Sequence, residues 1–214
     1  MSINGEGVHA GRLAAFIRFS GCNLRCSYCD TPWAQDSEAT VELLSLGELV
    51  SWVASQPCAC VTITGGEPTL QSRLLELVTA LSALDAIEVV EIETNGSIDL
   101  AELAHERPRK ASFTMDYKLP SSGMERQMCL TNLGVLEPRD VVKFVIGSRE
   151  DLETMARVVR DNSLAQRCQV YLSPVFGQME PATIVDFMRE QRLTKATLQL
   201  QLHKIIWPDQ ERGV

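Results

Sequence analysis

Cys22, Cys26 and Cys29 lie within one short segment, GCNLRCSYCDTPW, at the spacing C-x3-C-x2-C. Thiolates this close in sequence can converge on one metal centre. Three of them cannot fill all four positions of a tetrahedral structural zinc site or of a fully cysteine-ligated four-iron cluster. In a cluster, the iron left open can take a small-molecule ligand, which makes the centre reactive rather than merely structural. Zinc with a fourth ligand such as His9 or His203 is the competing use of the same triplet. The other four cysteines, Cys58, Cys60, Cys129 and Cys168, are expected to serve as small buried hydrophobes.

Further candidates stand where apolar runs end. Gly65 and Gly66, followed by Glu67 and Pro68, offer a backbone that a ligand could approach closely. Tyr28, between two of the cysteines, would project its ring over whatever they hold. Arg18 lies in an otherwise apolar run four residues before Cys22, on the same parity as Phe16 and Ser20. A guanidinium on an inward-facing position needs an anion, because an unpaired buried charge is costly. Either a carboxylate-bearing ligand or a core carboxylate such as Glu91 or Glu93 could supply it.

The elements that must position these residues follow from hydrophobic periodicity. Strands are predicted at Leu13 to Phe19, Cys60 to Thr64, Ile87 to Glu93, Ala111 to Met115, Val141 to Ile146, Gln169 to Ser173 and Leu198 to Leu202. Helices are predicted between them at Ser45 to Ser55, with Ser45 and Glu48 set as a cap, and at Gln71 to Leu84. Others are expected near Leu100 to Ala104, at Arg149 to Asp161 and at Pro181 to Gln191. Strands alternating with helices imply parallel pairing through right-handed crossovers. Six or seven strands are too few for a closed eight-fold barrel, so the expected α/β fold is a partial, open (β/α) barrel spanning residues 1–214 as a single domain. Ligands of parallel α/β folds bind beyond the carboxyl ends of the strands, which is where the cysteine loop, the Gly65-Gly66 turn, Thr94-Asn95-Gly96, Asp116-Tyr117-Lys118 and Pro174-Val175 all fall. Pro120 to Met128 reads as a surface or lid loop.

Bulk properties narrow the function classes. With 45% hydrophobic and 22% charged residues, the 214-residue chain has the composition of a globular protein. Its net charge of −8 argues against a nucleic-acid partner, which calls for clustered excess Lys and Arg. No apolar run approaches the roughly 20 residues that cross a bilayer, and the first residues lack a secretory signal, so a cytoplasmic location is expected. Seven cysteines, an odd number, in that reducing compartment argue against a disulfide framework.

The CxxxCxxC loop after a first strand, with GGEP after a second, resembles the radical S-adenosylmethionine (SAM) superfamily. Within it the chain is similar to the 7-carboxy-7-deazaguanine synthase family. The motifs that carry the likeness run nearly the whole length in family order. They are Ile3-Asn4-Gly5-Glu6-Gly7, Ala10-Gly11-Arg12, FIRFSGCNLRCSYCDT, TGGEPTL at Thr64 to Leu70, ETNG at Glu93 to Gly96, KLPSSGM at Lys118 to Met124 and LHKIIW at Leu202 to Trp207. The chain differs in carrying Asn4 where many members have Gln, and Asp116-Tyr117-Lys118 where many have Ser-Pro-Lys.

The resemblance implies a (β/α)6 radical SAM barrel with a 4Fe-4S cluster on Cys22, Cys26 and Cys29, SAM, and Mg2+. The implied reaction is ring contraction of 6-carboxy-5,6,7,8-tetrahydropterin to 7-carboxy-7-deazaguanine with loss of ammonia, in queuosine and 7-deazapurine biosynthesis. It assigns SAM to Tyr28, Gly65, Gly66, Glu67, Asp116, Tyr117, Lys118, Ser173, Pro174 and Val175. It assigns the pterin to Ile3, Asn4, Gly5, Arg18 and Thr64, with Glu6 in support, and Mg2+ to Thr31. His203 and Lys204 would meet the substrate or a partner subunit. A homodimer and an electron donor such as flavodoxin or ferredoxin are also implied.

Overall fold

Apolar β-branched runs alternating with amphipathic helices assemble into one sheet in the computed structural model, which describes residues 1–36 and 42–210. The strands are β1 (Ser2–Ile3), β2 (Leu13–Phe19), β3 (Cys60–Gly65), β4 (Val89–Thr94), β5 (Ala111–Tyr117), β6 (Val141–Ile146), β7 (Gln169–Pro174) and β8 (Ala196–Leu198). They neighbour one another in chain order, β1 pairing antiparallel with β2 and all later pairs being parallel. β1 and β8 remain as two free edges, so the barrel is partial and open as expected.

The helices are α1 (Leu46–Ala54), α2 (Leu74–Ser82), α3 (Ala101–Glu106), α4 (Arg149–Asp161), α5 (Leu164–Arg167), α6 (Pro181–Glu190) and α7 (Leu202–Ile206). Capping boxes start the two that carry one: Ser45 with Glu48 before α1, and Ser148 with Asp151 before α4. No helix among the described residues is long and apolar enough to cross a membrane.

The period-two geometry of a strand sorts its residues between two environments. On one parity, Ala15 and Ile17, Val61 and Ile63, Val90 and Ile92, Phe113 and Met115, Val142 and Phe144, and Val170 and Leu172 join the core beneath the helices. There they meet Leu77 and Leu81 of α2, Leu152 and Met155 of α4, and Ile184 and Phe187 of α6. The opposite parity brings Arg18, Thr64, Glu93, Thr114, Asp116 and Lys143 to a cavity on the concave side. Burying apolar area at roughly 25 cal/mol per Å² holds the outer layer together, leaving the inner face free to be polar.

The gap between the free edges is bridged by the two ends of the chain. Gly7 N–H donates to Gln199 Oε1 at 2.7 Å, Gln199 Nε2 donates to the Gly7 carbonyl at 2.8 Å, and Leu202 N–H donates to the Gly5 carbonyl at 3.1 Å. A Cβ at Gly5 would lie 2.4 Å from His203 Nδ1, so a larger residue here would have to displace that imidazole.

Several predicted boundaries move. The last strand is Ala196–Leu198, and the run beyond it turns into α7 instead of extending to Leu202. The helix expected from Gln71 begins at Leu74, because Pro68–Leu70 forms a 3-10 turn first. Pro120 to Met128 lies at the surface as expected, with Gly123, Arg126 and Gln127 exposed, and is folded into two 3-10 turns over the fully buried Ser122.

Candidate active site

A cavity of about 620 Å³ lies on the concave side, and Cys22, Cys26, Cys29, Tyr28 and Thr31 of the loop after β2 all line it. So do Ile3 and Gly5 from the N-terminal segment, Arg18 from β2, Thr64, Gly65 and Gly66 from β3, Asp116 and Lys118 from β5, and Val175 beyond β7. Residues scattered from position 3 to position 175 are thus brought to one wall-to-wall space.

The cysteine loop is held from several sides. Gly21 N–H and Cys22 N–H donate to the carbonyls of Ala34 and Gln35, and Cys29 N–H donates to the Cys26 carbonyl. Ser27 N–H donates to the Ser122 carbonyl at 3.1 Å, and Ser27 Oγ donates to the Ser121 carbonyl at 2.6 Å. Ser121 is itself clamped by Asp151, a fully buried carboxylate that accepts from Ser121 N–H and Oγ and from Gly147 N–H. The segment after β5 therefore braces the cysteine loop against the start of α4.

Glycine at 65 and 66 answers a packing demand. Gly65 adopts φ +144, and a Cβ there would lie 2.3 Å from the Phe19 carbonyl oxygen; at Gly66 it would lie 2.0 Å from the Gly21 carbonyl oxygen. The two loops interlock through Gly66 N–H to Phe19 O and Glu67 N–H to Gly21 O, each at 2.9 Å. This contact between backbones demands glycine at both positions independently of any ligand.

Five predicted residues do not line the cavity. The Glu67 carboxylate is fully buried and saturated, accepting from Thr69 N–H and Oγ1, Thr94 Oγ1 and Asn95 N–H at 2.6–3.0 Å. Asn4 is spent on Thr62 and Glu91, and the single Ser173 hydroxyl proton lies between Glu6 Oε1 at 3.0 Å and the Gln199 carbonyl at 2.8 Å. Tyr117 has the wrong parity: it faces the helical layer, its ring 5.5 Å from that of Phe144. Pro174 is also buried away from the opening. A family triplet assigned as a block cannot all face one way in a strand, because alternate side chains point to opposite faces.

Lys143, which sequence reasoning passed over, is the centre of the site's charge. Its Nζ lies 3.0 Å from Glu6 Oε2 and 3.1 Å from Asp116 Oδ1, and Lys118 Nζ lies 2.8 Å from Asp116 Oδ2. A chain of alternating charge runs from the N-terminal segment to the end of β5. Burial disfavours the Lys143 ammonium, yet Asp116, Glu6 and Glu93 hold its pKa well above the ordinary lysine range. Burial likewise opposes ionised Asp116, but Lys118 and Lys143 keep its carboxyl low. The signal was available, since Lys143 is a lone cation in an apolar strand, as Arg18 is. No carboxylate among the described residues comes within ion-pair distance of Arg18, whose guanidinium sits 5.5 Å from the centre of the Trp33 ring.

Glu91 lies deeper, hydrogen-bonded by the Thr114 hydroxyl and the Asn4 amide. Burial, reinforced by the charge of Glu93, pushes its carboxyl up to about 8. A carboxyl raised from 4.5 binds its proton more tightly folded than unfolded, so its contribution to stability falls as pH rises from about 4.5 towards 8 and then levels off. Glu91→Gln should therefore gain Tm relative to wild type as pH rises through that window. A difference independent of pH would contradict the raised pKa.

A model of the radical SAM superfamily matches residues 16–116. Over all 214 residues the chain is 47% identical to the 7-carboxy-7-deazaguanine synthase of Clostridium acetobutylicum, covering 96% of that protein. The chain belongs to the 7-carboxy-7-deazaguanine synthase family. The synthase of Chlorobaculum tepidum is 36% identical over the full chain and 94% of its own length. Among solved structures, QueE from Escherichia coli superimposes with a TM-score of 0.70 at 22% identity, covering 94% of this chain and 90% of that one. Streptococcus suis SuiB, solved with S-adenosylmethionine, gives 0.63 at 13% identity over 94% of this chain and 54% of its own. At these identities the structures establish the fold.

Membership of the synthase family and its superfamily brings a 4Fe-4S cluster and SAM as cofactors, and the donor set fits them. All three thiols face one cavity. No three His, Cys, Asp or Glu side chains among the described residues converge closely enough to hold one metal ion. Three cysteines leave one corner of a four-iron cluster open for a small molecule, whereas a structural zinc site would lack its fourth ligand. His9 is also absent from the cavity lining, whereas His203 lies in it, 3.7 Å from Asp30.

Proposed function

We propose that this chain converts 6-carboxy-5,6,7,8-tetrahydropterin into 7-carboxy-7-deazaguanine with release of ammonia, as a radical SAM lyase of queuosine and 7-deazapurine biosynthesis. One observation supports the reading above the others: three cysteines and an Arg18 guanidinium with no carboxylate among the described residues at ion-pair distance line one cavity, beside which the N-terminal segment and the residues after β8 meet. A cluster with SAM at its open iron supplies the reductive cleavage and hydrogen-atom abstraction that such a ring contraction needs.

The chain's own residues bind, orient and exclude water. Arg18 meets the substrate carboxylate, a charge-assisted pair that a guanidinium can make bidentate. Ile3 and Gly5 present backbone groups over the pterin, and Thr64 faces it from β3. Glu6, held by Lys143, Ser173 and Gln201, locks that N-terminal segment in place. Gly65 and Gly66 receive the methionine end of SAM. The Tyr28 ring, anchored by its hydroxyl to the Val145 carbonyl at 3.4 Å, takes the adenine face, with Asp116, Lys118 and Val175 completing that side. Asn4, Glu67, Tyr117, Ser173 and Pro174 act behind the lining.

Thr31 provides one oxygen for Mg2+, which retains waters and draws its remaining ligands from the substrate, as an ion reluctant to dehydrate does. Asp30 beside it lies 3.7 Å from His203 Nε2; desolvation by its neighbours opposes ionisation, but His203, Lys204 and Lys143 hold its carboxyl below the ordinary range. The reading includes a cytoplasmic, single-domain protein that works as a homodimer and takes electrons from flavodoxin or ferredoxin.

Anaerobically reconstituted protein given SAM, Mg2+ and reductant is expected to consume 6-carboxytetrahydropterin and release 7-carboxy-7-deazaguanine and ammonia in equal amounts. Cleavage of SAM without consumption of the pterin would overturn the substrate assignment.

A further inference from the structure

Asn95 follows β4 and is nearly buried, with its backbone N–H donating to Glu67 Oε2 at 2.6 Å. Its Nδ2 lies 3.7 Å from Cys22 Sγ and 3.1 Å from Asn23 Oδ1. The orientation of this amide follows from its neighbours. Ser97 N–H can only donate, so the atom it meets at 2.9 Å must be Asn95 Oδ1. Asn23 Nδ2 donates to Ser97 Oγ at 2.8 Å, which turns Asn23 Oδ1 towards Asn95. Each Asn95 amide hydrogen then has one acceptor, and one of those acceptors is the cysteine sulfur. Leu24 N–H, 3.4 Å away, is a second donor to the same sulfur.

We propose that Asn95 is a positioning residue for electron entry: its side-chain amide donates to the Cys22 sulfur and raises the reduction potential of the cluster that this sulfur holds. The inference rests on the cluster reading above. Adding one electron to the oxidised cluster increases the negative charge on its thiolate ligands, and an N–H···S bond strengthens as its acceptor becomes more negative. The bond therefore stabilises the reduced form over the oxidised one. Hydrogen bonds to the sulfurs are among the factors that set such potentials. The fold has placed the donor firmly, since Glu67, Ser97 and Asn23 fix the residue from three directions.

Asn95→Leu removes both donors at similar volume. Asn95→Asp keeps the oxygen that accepts from Ser97 and presents no N–H to sulfur. Full-length wild type and both variants, reconstituted with iron and sulfide without SAM, are titrated with a chemical reductant while the reduced cluster is followed by electron paramagnetic resonance. At about four irons per chain, both variants should have a more negative midpoint potential than wild type. The expected shift matches a tenfold fall in the reduced-to-oxidised ratio at fixed potential, 59 mV for a one-electron couple, and is larger for the aspartate. If Asn95→Leu fails to assemble a cluster, Asn95→Asp decides alone. A wild-type cluster with unshifted potentials in the variants overturns this inference alone, and wild type without iron overturns the cluster reading along with it.

Discussion

Arg107→Ala is expected to lower the free energy of unfolding by about 3–5 kcal/mol, the cost of leaving a buried charge without its partner. Arg107 Nη1 and Nη2 lie 2.6 and 2.7 Å from the two oxygens of Asp140, and both side chains are fully shielded from solvent. Asp140 also accepts from Phe113 N–H and Glu137 N–H, each at 2.8 Å, and the guanidinium stacks 4.2 Å from the Phe113 ring centre. One ion pair thus ties the end of α3 to the first turns of β5 and β6, at the end of the barrel away from the cysteines. Against a typical total of about 5–15 kcal/mol the expected loss is large. Urea denaturation checks it. Arg107→Met combined with Asp140→Asn should recover part of the loss, because no charge is then stranded and the amide oxygen can still accept from a backbone N–H. A single-variant loss below about 1 kcal/mol would mean that water reaches the pair, as it does for exposed ion pairs.

Arg18→Ala should weaken binding of 6-carboxytetrahydropterin by about thirtyfold or more, since truncating one side of a desolvated charge pair costs about 2–5 kcal/mol. SAM binding should change little, because the guanidinium stands over Trp33 and not among Tyr28, Gly65, Gly66, Asp116 and Lys118, the residues proposed for SAM. Calorimetric titration of each ligand separates the two effects. Equal losses for both would remove Arg18 from substrate recognition. Arg18→Lys should recover only part of the affinity, a point charge being unable to reproduce the planar fork. The Arg107 and Arg18 sites lie at opposite ends of the barrel, so each variant should leave the other property close to wild type.

The parallel strands β2 to β7 were legible because each carries a full alternation or an unbroken apolar run, a signal local to six or seven residues. β1, with two residues, and β8, with three, are too short to carry a period and exist as strands only because a neighbour offers its edge. Arg18 was readable as a charge in an apolar strand that must find an anion. Lys143 carried the same signal, but without its contacts nothing linked it to Glu6, 137 positions earlier.

Side-chain direction was the harder part of the site. Tyr117 lies between two cavity residues and faces the opposite layer. Glu67 lies beside two cavity glycines, yet its carboxylate is consumed by Thr69, Thr94 and Asn95. Motif membership placed both correctly along the chain, but only parity and hydrogen-bond saturation decide which atoms remain available to a ligand.

The chain's own order of residues determined the cysteine triplet with its missing fourth ligand, the parallel α/β architecture and the rim on which chemistry gathers. These depend on spacing and periodicity, which are written within a few residues. Tertiary structure alone decided that the N-terminal segment and the residues after β8 bridge the gap of the open barrel, that Lys143 joins Glu6 to Asp116, and that Asn95 turns its amide towards Cys22. Such contacts join positions dozens to nearly two hundred residues apart, and they exist only once burial of the outer face has curved the sheet around a polar interior.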